Sequence, residues 1–419
     1  MEELKTYRLA DICNSIQTGP FGSQLHKSDY VEFGTPIVMP KDITNGKIND
    51  NNISRISKND VARLFKHKLV PGNIIYPRRG DISKCALITS KEDGWVCGTG
   101  CIKVDINQQI ANSTYVMYVL CQSETVNWIE SNAVGTTMLN LNTSILSDLP
   151  IKLPSLNTQK KLANIVSSFD KKIALNRRIN DNLEQQAQAL FKSWFVDFEP
   201  FKNGKFVESE MGMIPEGWKV GTIGEYCSIR SGYAFKSSWW QETGTKVIKI
   251  KNITDNKTLD MSDCSYVSSD KTYKAIDFQA SPGDLIIAMT GATIGKFCII
   301  PFHNDKIYIN QRVGKFFLGN NPLDRLPFIY CCLSYEPIYN EIISKGQGSA
   351  QPNIGGADIA NIRIILSPST ELKEFNSRLR PIFQKKMQIE SELSKLSVLR
   401  DTLLPRLMSG ELKINDLNC

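Results

Sequence analysis

The chain has 419 residues, 41% of them apolar and 22% charged, with a formal net charge of +7 from 50 Lys and Arg against 43 Asp and Glu. This composition excludes a disordered chain and gives room for two or three domains with their own cores. The basic excess is small, compatible with nucleic acid and equally with a neutral ligand.

The N-terminal stretch MEELKTYRLADI opens with acids and lacks the apolar run of a signal peptide. The longest promising apolar stretch, Leu285 to Gly295, is far short of a membrane span. Eleven cysteines without a regular framework fit reduced thiols, so a cytoplasmic protein with no membrane partner is expected. Cys97 and Cys101 are closely spaced, but no second Cys or His pair accompanies them, and no metal site is expected.

Internal repetition is the strongest signal. YRLADICNSIQTGPFGS (Tyr7 to Ser23) resembles WKVGTIGEYCSIRSGYAFKS (Trp218 to Ser237). PGNIIYPRRGDISKCALIT from Pro71 matches PGDLIIAMTGATIGKFCII from Pro282, an offset of 211. Both predict a strand, a turn and a second strand. SNAVGTTMLNLNTSILSDLPI (Ser131 to Ile151) matches GQGSAQPNIGGADIANIRI (Gly346 to Ile364), with Gly135 against Gly348 and Asn140 against Asn353. This loop reads as the turn tying each globular domain to the helix that follows.

A long helix is predicted from about Asn157 to Phe195, with Leu162, Val166, Phe169, Ile173, Leu183, Ala187, Leu190 and Trp194 at coiled-coil spacing. Asn176 and Asn180 either occupy that seam, fixing register, or flank it beside Ile179. A second helix is predicted from about Thr370 to Met408, with a seam of Leu372, Phe375, Leu379, Ile382, Ile389, Leu393, Leu396, Leu403 and Leu407. Pro381 should kink it or mark a late start, Pro405 should disturb its end, and Gly410 should stop it. From Leu162 to Trp194 the first helix would span roughly 50 Å. The expected fold class is α+β: two α/β domains in tandem, separated by two long helices that form an antiparallel coiled coil, with a pseudo-twofold internal repeat.

Two similar heads suit the twofold symmetry of duplex DNA, whose paired half-sites lie about one turn apart. Candidate DNA contacts in the first head are Gln24, Lys27, Lys41, Arg78, Arg79 and Lys84; in the second, Lys236, Ser237, Trp239, Lys251, Asn252, Lys296, Gln351 and Asn353. Arg and Lys can pair with guanine edges and Asn and Gln with adenine, while other cations neutralise phosphate. Catalytic motifs are missing. TGATIGKF (Thr290 to Phe297) has the wrong glycine spacing for a phosphate loop and Phe297 where Ser or Thr should stand. His26, His67 and His303 are dispersed, outside any hydrolase or metalloprotease context. The chain reads as a recogniser, not an enzyme.

LFKSWFVDFEPFKNGKFVESEMGMIPEGWKV (Leu190 to Val220) closely resembles the central region of specificity subunits of type I DNA restriction–modification systems. TGPFGSQLHKSDY (Thr18 to Tyr30) and LRDTLLPRLMSGEL (Leu399 to Leu412) resemble that family as well, so the likeness covers essentially the whole chain. The resemblance implies target-recognition domains at 1–155 and 217–368, spacer helices at 156–196 and 369–409, a central linker at 197–216 and a tail at 410–419. It implies a double-stranded, bipartite DNA target read one half per domain, two methylation subunits as partners, and restriction subunits that can join. S-adenosylmethionine, ATP and Mg would then be bound by those partners and no cofactor by this chain. Phe191, Trp194, Phe195, Phe198 and Phe201 are plausible anchors for a methylation subunit, or else they seal the helix against the next domain. The competing readings are a twin-headed scaffold for protein or glycan, and a stand-alone methyltransferase or nuclease with an unrecognised site.

Overall fold

The computed structural model describes residues 4–44, 46–135, 139–346 and 352–412. The chain divides into two compact units, residues 1–171 with 398–419, and residues 172–397.

In the first unit, Lys5–Arg8 pairs antiparallel with Pro150–Leu153, so its entering and leaving strands are tied together. An antiparallel sheet runs in the order Cys13–Thr18, Cys101–Ile106, Asn73–Pro77, Ala86–Leu87. A smaller sheet has the order Tyr30–Val31, Arg55–Ile56, Thr35–Val38, Val96–Cys97, its last pair parallel. The second unit repeats this plan. Lys219–Thr222 pairs with Arg363–Leu366. One sheet is Ser228–Ser231, Val313–Phe317, Leu285–Ala288, Phe297–Ile299. The other is Trp240–Gln241, Ser265–Val267, Thr245–Ile248, Ile307–Ile309, Gln279–Ala280, again with one parallel pair. The strand–turn–strand units expected after Pro71 and Pro282 are antiparallel pairs in both copies.

The apolar runs in these units follow from burial on both faces. Ile74 and Tyr76 face the core beneath helices Ser113–Leu120 and Ser123–Asn132, while Ile75, between them, faces the core shared with the smaller sheet. At the equivalent strand, Leu285 and Ile287 enter one core and Ile286 and Ala288 the other. Side chains alternate across a strand, so a strand between two cores must be apolar at every position.

The two long helices run Leu156–Phe195 and Ser369–Met408. Pro381 and Pro405 do not interrupt the second. Pro381 lies on its exposed side, as does Ser377, whose carbonyl loses its helical partner there on a solvent-facing surface. Leu379 and Phe383 on the opposite face are buried and hold the turn. Gly410 then takes a left-handed φ of 74° and stops the helix.

Within the second unit the helices pair antiparallel. The Asn176 amide donates to Glu392 Oε2 at 2.9 Å and Asn180 to Glu390 Oε1 at 2.5 Å. Both asparagines are buried, so they belong to the seam, and Ile179 flanks it. Of the expected seam residues, Leu379 and Ile389 are buried, whereas Leu183, Leu190, Leu393 and Leu396 are only half-buried. Beside Leu183, Glu184 carries the contact: its carboxylate meets Lys386 Nζ at 2.7 Å and Lys257 Nζ at 3.0 Å, and accepts from the Tyr330 hydroxyl at 2.8 Å. Ile173 is buried in the same unit. In the first unit, Leu162 and Val166 share a core with Leu407, against which Leu403 packs. Asp170 meets Arg400 at 3.2 Å, and Phe169 is half-buried.

Burial works to raise the Glu184 carboxyl, but Lys386 and Lys257 outweigh it and hold it at about 2, against an ordinary value of 4.5. The unfolded chain binds this proton more readily than the folded one. The contribution to stability is therefore present above pH 4.5 and lost as pH falls toward 2. Glu184→Gln, which leaves two lysines facing a neutral amide, should cost about 3 kcal/mol. It should also flatten the acid limb of the stability profile of the full chain, measured by urea unfolding between pH 7 and pH 3.

Candidate nucleic-acid interface

In each unit, five chain segments meet through backbone hydrogen bonds. In the first unit Gly19 N donates to Cys101 O at 2.8 Å, Gly98 N to Val38 O at 2.9 Å, Arg78 N to Gly100 O at 2.6 Å, and Leu141 N to Arg78 O at 2.8 Å. Arg79 and Asn140 form a bridge beside them. In the second unit Gly232 N donates to Val313 O at 2.8 Å, Asn310 N to Ile248 O at 3.0 Å, Met289 N to Arg312 O at 3.0 Å, and Ile354 N to Met289 O at 2.9 Å. Thr290 and Asn353 form the matching bridge. The polar loop before each final strand is thus clamped onto the turn of the strand–turn–strand unit, where the sequence suggested a tie to the long helix. Gly348 lies outside the described residues.

The glycine opening each junction is required by contact. A Cβ on Gly19 would stand 2.0 Å from Gly98 O, and one on Gly232 would stand 2.4 Å from Ile309 O. This accounts for the glycine in TGPFGS and SGYAFKS.

A family model described as type I restriction modification DNA specificity domain matches residues 1–185 and again 215–396. The chain belongs to this family. It is 27% identical over 400 residues to the type I restriction enzyme MjaIX specificity subunit of Methanocaldococcus jannaschii, covering 91% of this chain and 88% of that one. It is 22% identical to the HindI specificity subunit of Haemophilus influenzae, covering 98% and 100%. A crystal structure of the S subunit of a type I restriction–modification system from M. genitalium shares the fold, with TM-score 0.65, 18% identity, and 97% and 96% of the two chains covered.

Within this specificity-domain frame the candidate residues separate into three groups. Lys41 and Lys251 occupy the same exposed middle position of two short turns, Pro40–Asp42 and Ile250–Asn252. Lys41, Lys27 and Arg79 have no side-chain hydrogen bond or ion pair among the described residues, and all are exposed. Arg78 is half-buried beside Arg79. Lys236 and Ser237 are exposed, with the Lys236 ammonium 5.6 Å from the Trp239 ring. Asn353 is exposed at the second junction, and Gln351 lies outside the described residues.

A second group is engaged with neighbours. Lys84 meets Asp81 at 2.6 Å, Lys251 meets Asp263 at 2.5 Å and Lys296 meets Asp255 at 2.6 Å, so their charge is locally compensated. The Gln24 side chain accepts from Phe21 N at 3.3 Å. Trp239 packs against the cluster around Phe235 and Val247.

Asn252 is a correction. It is 2% exposed, accepts from Lys249 N at 2.9 Å, and donates to Asp260 O at 2.9 Å and Asp263 O at 3.1 Å. Its amide holds the loop together and cannot reach a base. Asp42 does the same work in the first unit, accepting from Met39 N at 2.8 Å.

Of the two readings of the aromatic run, docking anchors or a seal, the structure supports the seal. Phe191, Trp194, Phe195 and Phe198 are buried and Phe201 is half-buried. The Phe195 and Phe328 ring centroids lie 4.8 Å apart and those of Trp194 and Phe375 5.6 Å apart, both pairs tilted, and Phe201 meets Trp218 edge-on at 4.9 Å. These rings seal the helix end against the second unit. The exposed apolar side chains nearby are Val207, Met211 and Met213, on and between strands Phe206–Ser209 and Gly212–Pro215. Cys97 and Cys101 are both buried, and burial pushes the Cys97 thiol up to about 12.

Sequence reasoning missed Gln311 and Arg312, exposed where the junction of the second unit crosses between sheets. Their signal was a polar Asn-Gln-Arg triplet between two apolar strands, hidden because the matching triplet in the first unit is Gly98-Thr99-Gly100. Three buried polar atoms at the two junctions find no partner within the described protein: Arg78 Nε, Asn140 Oδ1 and Thr290 Oγ1.

Gly232→Ala should destabilise the chain by about 1–3 kcal/mol, because a backbone carbonyl must move to admit the methyl. Asn252→Ala should cost a similar amount by stranding buried backbone groups. Lys41→Ala, on an exposed and unpaired side chain, should shift stability by less than about 0.5 kcal/mol. Denaturant unfolding of the three variants checks the ranking.

Proposed function

We propose that this chain is the DNA-recognition subunit of a type I restriction–modification enzyme, reading a two-part asymmetric target with one unit per half. The observation that supports the reading best is the repetition of one junction with different exposed side chains. Lys41, Arg78 and Arg79 stand at or beside the first junction, and Lys236, Gln311, Arg312 and Asn353 at or beside the second. No acid occurs in the segments 19–22, 77–80, 98–100 and 140–141, nor in 232–236, 289–291, 310–312 and 352–354. Cationic and amide side chains on a common backbone frame suit phosphate positioning together with base-edge readout.

In this reading the chain performs no chemistry. Methylation subunits bind S-adenosylmethionine and transfer its methyl group to adenine, and restriction subunits use ATP and Mg. The paired long helices, each shared by both units, set the number of unspecified bases between the half-sites. The relatives' names as specificity subunits support the role, and the division of labour follows from it.

Two measurements test the reading. Mapping methylated adenines in cells that express this chain with its methylation subunits should give a two-part motif that disappears without the chain. Affinity of the assembled complex for that motif should fall steeply with salt, with a logarithmic slope of about −0.9 per phosphate neutralised. Salt-insensitive binding would favour a protein or glycan scaffold, and methyl transfer by the isolated chain would make it an enzyme.

A further inference from the structure

We propose that Gln311 and Arg312 are base-reading side chains of the second unit, and that the turn carrying them is where the two units diverge in sequence preference. The inference rests on the DNA-recognition role proposed above and assigns that role to particular atoms.

The turn Asn310–Arg312 joins strand Ile307–Ile309 of one sheet to strand Val313–Phe317 of the other. Ile309 and Val313 on either side are fully buried, so the turn is anchored at both ends. Its backbone is also engaged. Asn310 N donates to Ile248 O at 3.0 Å, Gln311 N to Tyr233 O at 3.0 Å, and Arg312 O accepts from Met289 N at 3.0 Å. Arg312 N donates to the Asn310 side chain at 3.3 Å. A reading group held on fixed backbone loses little freedom on binding, the condition for discriminating contacts.

Among the described residues these side chains have no structural duty. Neither Gln311 nor Arg312 makes a side-chain hydrogen bond, ion pair or ring contact among the described residues. The first unit shows that the junction closes without them. There the turn is Gly98-Thr99-Gly100, with Gly100 at a left-handed φ of 81° and a Cβ on Gly98 placed 2.5 Å from Met39 Sδ. None of Asn310, Gln311 and Arg312 takes a left-handed backbone. The first unit thus presents only Thr99 at this turn, while the second presents two long polar side chains.

Their chemistry fits base edges. A guanidinium donates twice to guanine O6 and N7, and a glutamine amide pairs with adenine N6 and N7. Exposed Asn353 is held at the same junction through the Thr290 bridge. Lys236, three residues beyond Tyr233, supplies a cation for the adjoining phosphate.

The test uses the complete complex with methylation subunits, carrying Gln311→Ala, Arg312→Ala or Arg312→Lys. Readouts are the map of methylated adenines and binding to duplexes that carry each single base change in the wild-type target. Arg312→Ala should weaken binding to that target by about ten- to a hundredfold. It should erase discrimination at one or two base pairs of one half-site, leaving the other half-site read as before. Gln311→Ala should do the same at a neighbouring pair. Arg312→Lys should recover part of the affinity but not the discrimination, since a single ammonium cannot donate in a fork. Thermal unfolding of all three should match wild type.

Unchanged base preferences would overturn the proposal. So would a uniform loss across all sequences with a salt slope shallower by about one, which marks a phosphate contact. A wild-type complex that yields a two-part motif separates either outcome from failure of the recognition role itself.

Discussion

Both units close around a backbone approach that only glycine permits. At Gly19 and Gly232 the space for a Cβ is taken by a carbonyl oxygen of a neighbouring segment. The turn between the two sheets is thereby pressed against the end of a strand, and the remaining junction contacts follow as backbone hydrogen bonds. A frame built from main-chain groups places few demands on the side chains that project from it. Two copies of one fold can then keep their stability while exchanging Gly-Thr-Gly for Asn-Gln-Arg at the same place. Where a side chain does hold the frame, as with Asp42 and Asn252, it is buried, and the residue type stays a short acceptor in both copies.

The long helices follow the opposite rule, because there side chains specify the pairing. An apolar seam slides readily by a heptad; buried asparagines and a half-buried carboxylate between two lysines do not, since a wrong register leaves them unpartnered. Asn176, Asn180 and Glu184 stand one turn apart on the first helix, and their partners Glu392, Glu390 and Lys386 descend along the second. Polar contacts cost stability relative to leucine but allow one alignment. Glu184 also accepts from Tyr330 and meets Lys257, so the same carboxylate fastens the helix pair to the body of the second unit.

Much of this was legible in the chain. The offset of 211 between Pro71 and Pro282 places Ile74, Ile75 and Tyr76 on Leu285, Ile286 and Ile287, and the structure makes both triplets strands between two cores. Both long helices begin within one residue of their expected starts and end where expected. What escaped has identifiable causes. Pro381 signals a break, but it lies on an exposed face, where the unpaired carbonyl of Ser377 faces solvent, while Leu379 and Phe383 keep the helix packed. An aromatic run such as Phe191 to Phe201 looks the same whether it awaits a partner or closes a core; only burial separates the two. Asn252 has the composition of a base reader and the position of a structural amide, a distinction made by loop geometry and not by residue type.

Charge was the weakest guide to the candidate interface. Lys84, Lys251 and Lys296 attracted notice as cations, yet each is matched by an aspartate. Where the backbone frame crosses between sheets, Arg79 and Asn353 are exposed, and Arg78 Nε, Asn140 Oδ1 and Thr290 Oγ1 are buried with no hydrogen-bond partner among the described residues. Buried polar atoms normally find partners within the fold, because leaving one open costs about 1–3 kcal/mol. Such atoms occur in both units at the contact between the strand–turn–strand turn and the returning loop. A junction made rigid by its main chain leaves its exposed side chains free to differ between the two units.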